Sequence, residues 1–270
     1  MTFADMLRLE AADGHFTTMV SDQFMVGQGP NGGYLSALIA TAARTVETDL
    51  DRPLRSASFQ FIGRLTPGQE AEVRVQELRR GGAMSAVDVT VSQNDRIAVT
   101  SRCLFLPTRP GPTMAENPPP VLPSPEEIGV CVHQVDTDSL RSRYDTRYAV
   151  GGFPPDEFDR AEVTGWIRPS SGEPIDANWL LAIADGWAPP SLIVRDNKAM
   201  ATTLELQVLI RHTGFDPIDD FVLGRNISRT MAEGYIEQET DIWSRDGILL
   251  CQARQLGMLL PYSPEGLLDS

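Results

Sequence analysis

The sequence predicts an α+β fold in which one unit occurs twice, a long buried helix wrapped by a curved antiparallel sheet. Two observations carry this. Each half of the 270 residues has an apolar helical period followed by four strand-like runs, in the same order and at similar spacing. Between the halves lies PTRPGPTMAENPPPVLPSP, residues 107–125, whose eight prolines leave no room for a helix or a central strand. The chain is accordingly divided into an N-terminal unit 1–106, a stiff linker 107–130 and a C-terminal unit 131–270.

In the first unit, Asn31-Gly32-Gly33 opens a helix, YLSALIATAARTVE, with Leu35, Leu38, Ile39, Ala42 and Val46 at helical spacing. SASFQFIGR, AEVRVQELR, SAVDVTVSQ and RIAVTSRCLFLP then read as strands, separated by Thr66-Pro67-Gly68, Gly81-Gly82 and Asn94-Asp95. In the second unit, Asp176 caps a helix expected over 177–188, ended by Pro189 and Pro190. TTLELQVLIRH, FVLGRNISR, GYIEQETDIWS and ILLCQARQLGMLLP follow, the last two joined by Arg245-Asp246-Gly247. A further strand precedes each helix, FTTMVSDQF in the first unit and EVTGWIRP in the second. FQFIGR aligns with LQVLIR and TSRC with QARQ, so Arg64 matches Arg211 and Arg102 matches Arg254.

Composition narrows the function. A formal net charge of -14 and a pI near 4.6 repel phosphate backbones and anionic lipid, which argues against nucleic-acid and membrane-surface partners. An anionic substrate would need local arginines, for which Arg52, Arg55, Arg79 and Arg80 are candidates, although solvated surface charge explains each. The N-terminus has acids where a secretory leader has bases, and no run reaches the roughly 20 apolar residues of a membrane span. Cys103, Cys131 and Cys251 are widely spaced, and read as reduced core thiols of a cytoplasmic protein.

Two polar residues, Asp185 and Gln255, break the pattern, both in the second unit. Asp185 lies in the last turn of the expected helix, where the dipole repels negative charge, among Trp179, Leu180, Ala182, Ile183, Ala184 and Trp187. Gln255 shares the apolar face of the last strand with Leu249, Cys251, Ala253, Gly257 and Leu259, where an unpartnered amide costs about 1–3 kcal/mol. Thr203 stands at a strand start, and parity puts it on the polar face with Glu205 and Gln207. The matched arginines set Asp185 against the neighbourhood of Leu38, Thr203 against Ser56 and Gln255 against Cys103. No acid stands between Tyr34 and Val46 in the first helix, and no glutamine in the strand from Ile97 to Leu106.

No G-x-S-x-G, H-E-x-x-H, G-x-G-x-x-G or P-loop motif occurs, and His15, His133 and His212 are far apart, so no metal or cofactor is expected. NGGYLSALIATAA, LIVRDNKAMATTLELQVLIRH and WSRDGILLCQARQLGML resemble the acyl-CoA thioesterase II-like family of double hotdog proteins, across both halves. The resemblance implies hydrolysis of acyl-CoA to free acid and CoA, within fatty acid metabolism. It assigns the catalytic aspartate, threonine and glutamine to Asp185, Thr203 and Gln255. Asp185 is then the base or anchor for a water that Thr203 and Gln255 hold, and the N–H groups of Gly32 and Gly33 are expected to receive the carbonyl oxygen. An enoyl-CoA hydratase is disfavoured, since no histidine follows Asp185 before His212. A non-catalytic acyl-CoA binding protein stays open, as does a homo-oligomer.

Overall fold

Two helices of unequal length lie side by side against one face of an antiparallel sheet that has 13 strands among the described residues, and one short strand pair stands apart from it. The computed structural model describes residues 1–27, 29–114, 116–130, 140–152, 160–192 and 199–261. Gln28, Cys131 and His133, noted above, lie outside them.

The chain begins with α1 (Phe3–Met6), β1 (Glu10–Ala12), β2 (His15–Met19), β3 (Met25–Val26) and β4 (Gly29–Pro30). The strand expected over FTTMVSDQF therefore stops at Met19. Beyond it the chain turns to place Phe24 in an aromatic cluster with Phe3, Tyr34, Tyr144 and Trp179. Phe3 stacks on Trp179 at 4.1 Å, so the first residues of the chain cover the helix of the second half.

Helix α2 (Gly32–Arg44) is capped by Asn31, whose side chain accepts from the Gly33 and Tyr34 N–H groups. At its other end the Arg44 guanidinium donates to the carbonyls of Glu47, Asp49 and Arg52, the favourable sign for a helix C-terminus. Helix α3 (Ala177–Ala184) is capped by Asp176 and buries the expected apolar residues, Ile183 and Leu180 completely. It is shorter than the sequence suggests. Asp185 already leaves helical geometry (φ -117°, ψ 18°) and is the C-cap. The early stop lets Trp187 lie on Gly224, where a Cβ would sit 2.0 Å from the ring.

After α2 come β5 (Leu54–Phe61), β6 (Glu70–Arg80), β7 (Ser85–Gln93) and β8 (Arg96–Phe105). The second half contributes β9 (Tyr144–Val150), β10 (Glu162–Pro169), β11 (Ala199–Ile210), β12 (Val222–Ile227), β13 (Met231–Ala232), β14 (Tyr235–Trp243) and β15 (Leu249–Pro261). Strand β9 was not anticipated. The sheet order β1-β2-β6-β7-β8-β5-β11-β15-β14-β12-β10-β9 shows the halves fused through β5 and β11, with Ser58 opposite Gln207 at the middle of the seam.

The proline-rich segment has no regular structure, as expected, yet it is more than a spacer. Trp166, Phe221, Leu223 and Trp243 point away from the helices, and Leu122 and Ile128 cover them. The Trp166 indole donates to the Pro123 carbonyl at 2.9 Å, and Asn117 donates to Asp241. The segment straps the outer face of β10, β12 and β14. Leu249 belongs to this outer cluster and not to the helix-facing side expected for it. A register shift at Ile242 and Trp243, where β14 meets the start of β15, moves it across.

Candidate active site

Asp185 is at the wrong end of its own helix and at the right end of its neighbour. The C-terminus of α3 meets the N-terminus of α2, so the carboxylate that α3 repels is held by α2. Asn31 Nδ2 donates to Asp185 Oδ2 at 2.9 Å and to its backbone carbonyl at 3.0 Å. The Gly33 N–H donates to the same Oδ2 at 3.1 Å, shared with Asn31 Oδ1 at 2.9 Å.

This contact explains both glycines. A Cβ on Gly33 would sit 2.4 Å from the Ala182 carbonyl oxygen, and one on Gly32 would sit 2.8 Å from Asp185 Oδ2 and 2.9 Å from the Phe61 ring. The pair was expected to receive a substrate carbonyl. The Gly33 N–H is instead engaged by Asp185, leaving the Gly32 N–H as the donor that bonds to no described residue.

Gln255 is buried on the helix-facing side of β15, as its alternation with Cys251, Ala253 and Gly257 requires. Thr203 departs from its expected face. A bulge between Thr203 and Glu205 inserts Leu204 as an extra residue and inverts the alternation, turning Thr203 inward while Glu205 and Gln207 stay exposed. Thr203 Oγ1 then donates to Gln255 Oε1 at 2.8 Å.

Gln255 and Thr203 both face the Asp185 carboxylate, so all three residues lie together, with the Thr203 hydroxyl proton directed to Gln255 Oε1. Burial pushes the Asp185 carboxyl up to about 6, against the bonds from Gln255, Gly33, Asn31 and Thr203, which hold it down. The arrangement leaves a desolvated carboxylate that is ionised at neutral pH and more basic than a free one. Asn31 is the site residue that sequence reasoning missed. Its position before two glycines at a helix start was visible, but its reach to α3 was not.

The internal repeat supplies a control. In the second half Thr203 pairs with Gly257 and Leu206 with Gln255, across the bulge at Leu204. In the first half Leu54 pairs with Phe105 and Ala57 with Cys103, across a bulge at Arg55. Leu54 and Cys103 therefore occupy the places of Thr203 and Gln255. Ala40 stands as far past its cap Asn31 as Asp185 does past Asp176 (40 − 31 = 185 − 176). Ala40 and Leu54 replace the Leu38 and Ser56 expected from letter matching, which could not place the bulges; Cys103 stands as expected. A cavity of about 180 Å³ lies at this twin position, lined by Ala40, Leu54 and Phe105 and also by Asp176, Asn178 and Thr213. The three equivalent positions, Ala40, Leu54 and Cys103, carry no acid, hydroxyl or amide.

Other candidate groups fall elsewhere. Cys103 and Cys251 are free and buried, and burial raises both thiols, Cys103 to about 12, so neither is a ready nucleophile. Arg52 is tied to Asp49, the Gly81 carbonyl and Ser85, Arg55 to Thr108, and Arg80 to Glu77. Among the described residues no three histidine, cysteine or acidic side chains are grouped to hold a metal ion, and no helix is long and apolar enough to cross a membrane.

Comparison with known proteins identifies the family and the fold. The model of the acyl-CoA thioesterase N-terminal domain matches residues 20–106, and that of the acyl-CoA thioesterase C-terminal domain matches residues 115–259. A conserved hot dog fold protein of unknown function from Alicyclobacillus acidocaldarius superposes with a TM-score of 0.87 at 21% identity, covering 97% of this chain and 98% of its own. The tesB protein of Mycobacterium avium subs paratuberculosis gives 0.76 at 20% identity, over 96% and 98%. Acyl-CoA thioesterase II TesB2 of Mycobacterium marinum gives 0.75 at 17%, over 97% and 99%. No curated protein matches the sequence. With both domain models matched in order over most of its length, the chain belongs to the acyl-CoA thioesterase family.

Proposed function

We propose that this chain is a double hotdog hydrolase that cleaves acyl-CoA thioesters to free acid and CoA, with a water activated by Asp185. The observation that carries the reading is the carboxylate itself, desolvated, held at the N-terminus of α2 by Asn31 and the Gly33 N–H, and faced by the Thr203–Gln255 pair. A water joining this group loses a proton to Asp185 as its oxygen attacks the thioester carbonyl. Gln255 and Thr203 orient that water, and the Gly32 N–H stands ready for the oxygen that gains negative charge. Collapse of the tetrahedral adduct breaks the C–S bond, releases CoA and returns the proton to the leaving sulfur.

Release of free thiol from a panel of acyl-CoAs tests the reading. Binding without release of thiol would make the chain a carrier of acyl-CoA instead. The pH dependence gives a second measurement. Because the active form is ionised Asp185, kcat/KM should rise with pH, reach half its maximum near pH 6 and stay level above it. A half-maximum near 4 would mean that the carboxylate is not desolvated during turnover.

Thr203→Val keeps the shape of the side chain and removes the proton donated to Gln255. The amide is then free to turn, and kcat should fall roughly ten- to hundredfold, the scale of one lost oriented hydrogen bond. Circular dichroism should show the fold unchanged. An unaltered kcat would remove Thr203 from the site.

A further inference from the structure

Beyond Gln255 the helix-facing side of the second-half sheet continues as a buried polar strip. Gln238 on β14 stands opposite Gln255, and Asn226 on β12 stands opposite Thr240 on β14. Gln238, Thr240 and Asn226 are 4%, 1% and 2% exposed. Asn226 Nδ2 donates to Gln238 Oε1 at 3.4 Å, but Asn226 Oδ1 and Thr240 Oγ1 bond to no described residue. Neither does Nε1 of Trp187, whose ring lies on Gly224, two residues before Asn226 on the same face of β12. Polar atoms buried this deeply are ordinarily satisfied.

The first half shows what the same positions hold when only packing is required. Val87 stands opposite Cys103, the twin of Gln255, so Val87 is the twin of Gln238. Val89 and Val75 stand opposite each other as Thr240 and Asn226 do. Val87 and Val89 are wholly buried and Val75 partly so. One copy of the fold fills these places with valine. The copy that carries Asp185 fills them with an amide, a hydroxyl and an amide.

We infer that the strip Gln238–Thr240–Asn226, with Trp187, recognises an uncharged oxygen substituent on the acyl chain, a hydroxyl above all. The strip offers a hydroxyl both kinds of partner, since Asn226 Oδ1 accepts and Trp187 Nε1 donates. It contains no charged group, which disfavours a carboxylate. The inference rests on the thioesterase reading and names its substrate class. Strands β15 and β12 are two strand spacings apart, about 10 Å, so an acyl chain starting at Gln255 meets the strip within about eight carbons.

The test compares kcat/KM for octanoyl-CoA with that for octanoyl-CoA hydroxylated at C3, C5 or C8, in the wild type and in Asn226→Leu and Thr240→Val. At least one hydroxylated substrate should exceed octanoyl-CoA by about tenfold or more, because a site built to bond a hydroxyl discriminates against the analogue lacking it. In both variants that ratio should fall towards one. Thr240→Val matches the residue in size and should keep or raise the thermal midpoint, so it serves if Asn226→Leu does not fold. Octanoyl-CoA equal to or better than every hydroxylated substrate would overturn the inference, as would variants that keep the wild-type ratio. If no thioester is cleaved at all, the hydrolase reading fails separately. Thermal shifts by the free hydroxyoctanoic acids against octanoic acid then decide the strip, equal shifts refuting it.

Discussion

Replacing Asp185 by asparagine is expected to lower turnover by roughly 10²–10⁴-fold, the usual scale for loss of a general base, while the protein remains folded. Asparagine keeps the size of the side chain, and its oxygen can still accept from Asn31 and the Gly33 N–H. What it cannot do is take a proton. The effect on stability should have the opposite sign. In the folded chain the carboxyl is raised from 3.8 to about 6, so folding favours the protonated acid. Stability therefore declines as pH rises from about 4 to 6, and the whole penalty is present above that. The asparagine variant lacks this slope and should match or exceed the wild-type thermal midpoint at pH 7 by a few degrees, while differing little at pH 4. Measuring melting and thiol release on one preparation separates this from a structural acid. Loss of stability with full activity in the folded fraction would refute the mechanism.

Gly33→Ala should be the most damaging single methyl group that can be added near the site. In an ordinary helix, glycine to alanine stabilises by about 0.5–1 kcal/mol. Here the new Cβ would meet the Ala182 carbonyl oxygen at 2.4 Å and the Ala182 Cα at 3.0 Å, both in the backbone of α3. Backbone cannot swing aside as a flexible side chain can, so α2 and α3 must separate. A cost of about 3 kcal/mol, the upper end for an overpacked site, lowers the midpoint by roughly 6–12 °C. The same separation pulls the Gly33 N–H from Asp185, so activity in the surviving folded fraction should also fall. A variant as stable and active as the wild type would show that the two helices do not meet as described.

The residues that determine the repeat were legible because they obey local rules. SAVDVTVSQ and EVTGWIRP alternate or cluster apolar side chains within one element, and the structure makes each a strand with those bounds. Gln255 was readable for the same reason, since the parity of β15 is unbroken from Cys251 to Gly257. Asp185 stood out because a charge at the end of an apolar helix is costly unless something distant repays it.

What answered it was not local. The partner of Asp185 is the start of another helix more than 150 residues away, and only the antiparallel packing of α2 and α3 brings Asn31 and Gly33 to it. Thr203 was misplaced because parity counts residues, while a bulge depends on how β11 pairs with β15, and one extra residue inverts every side chain before it. The twin positions Ala40 and Leu54 were missed by two residues each, because letter matches cannot locate a cap or a bulge. Helix α3 stopped early because Trp187 finds its place on Gly224, a contact between elements that no helical period records. Periodicity within an element is written in neighbouring residues, so the sequence alone determined the repeat and its polar exceptions. Pairing between elements depends on surfaces that exist only once the chain has folded, and the tertiary structure alone decided which exceptions meet.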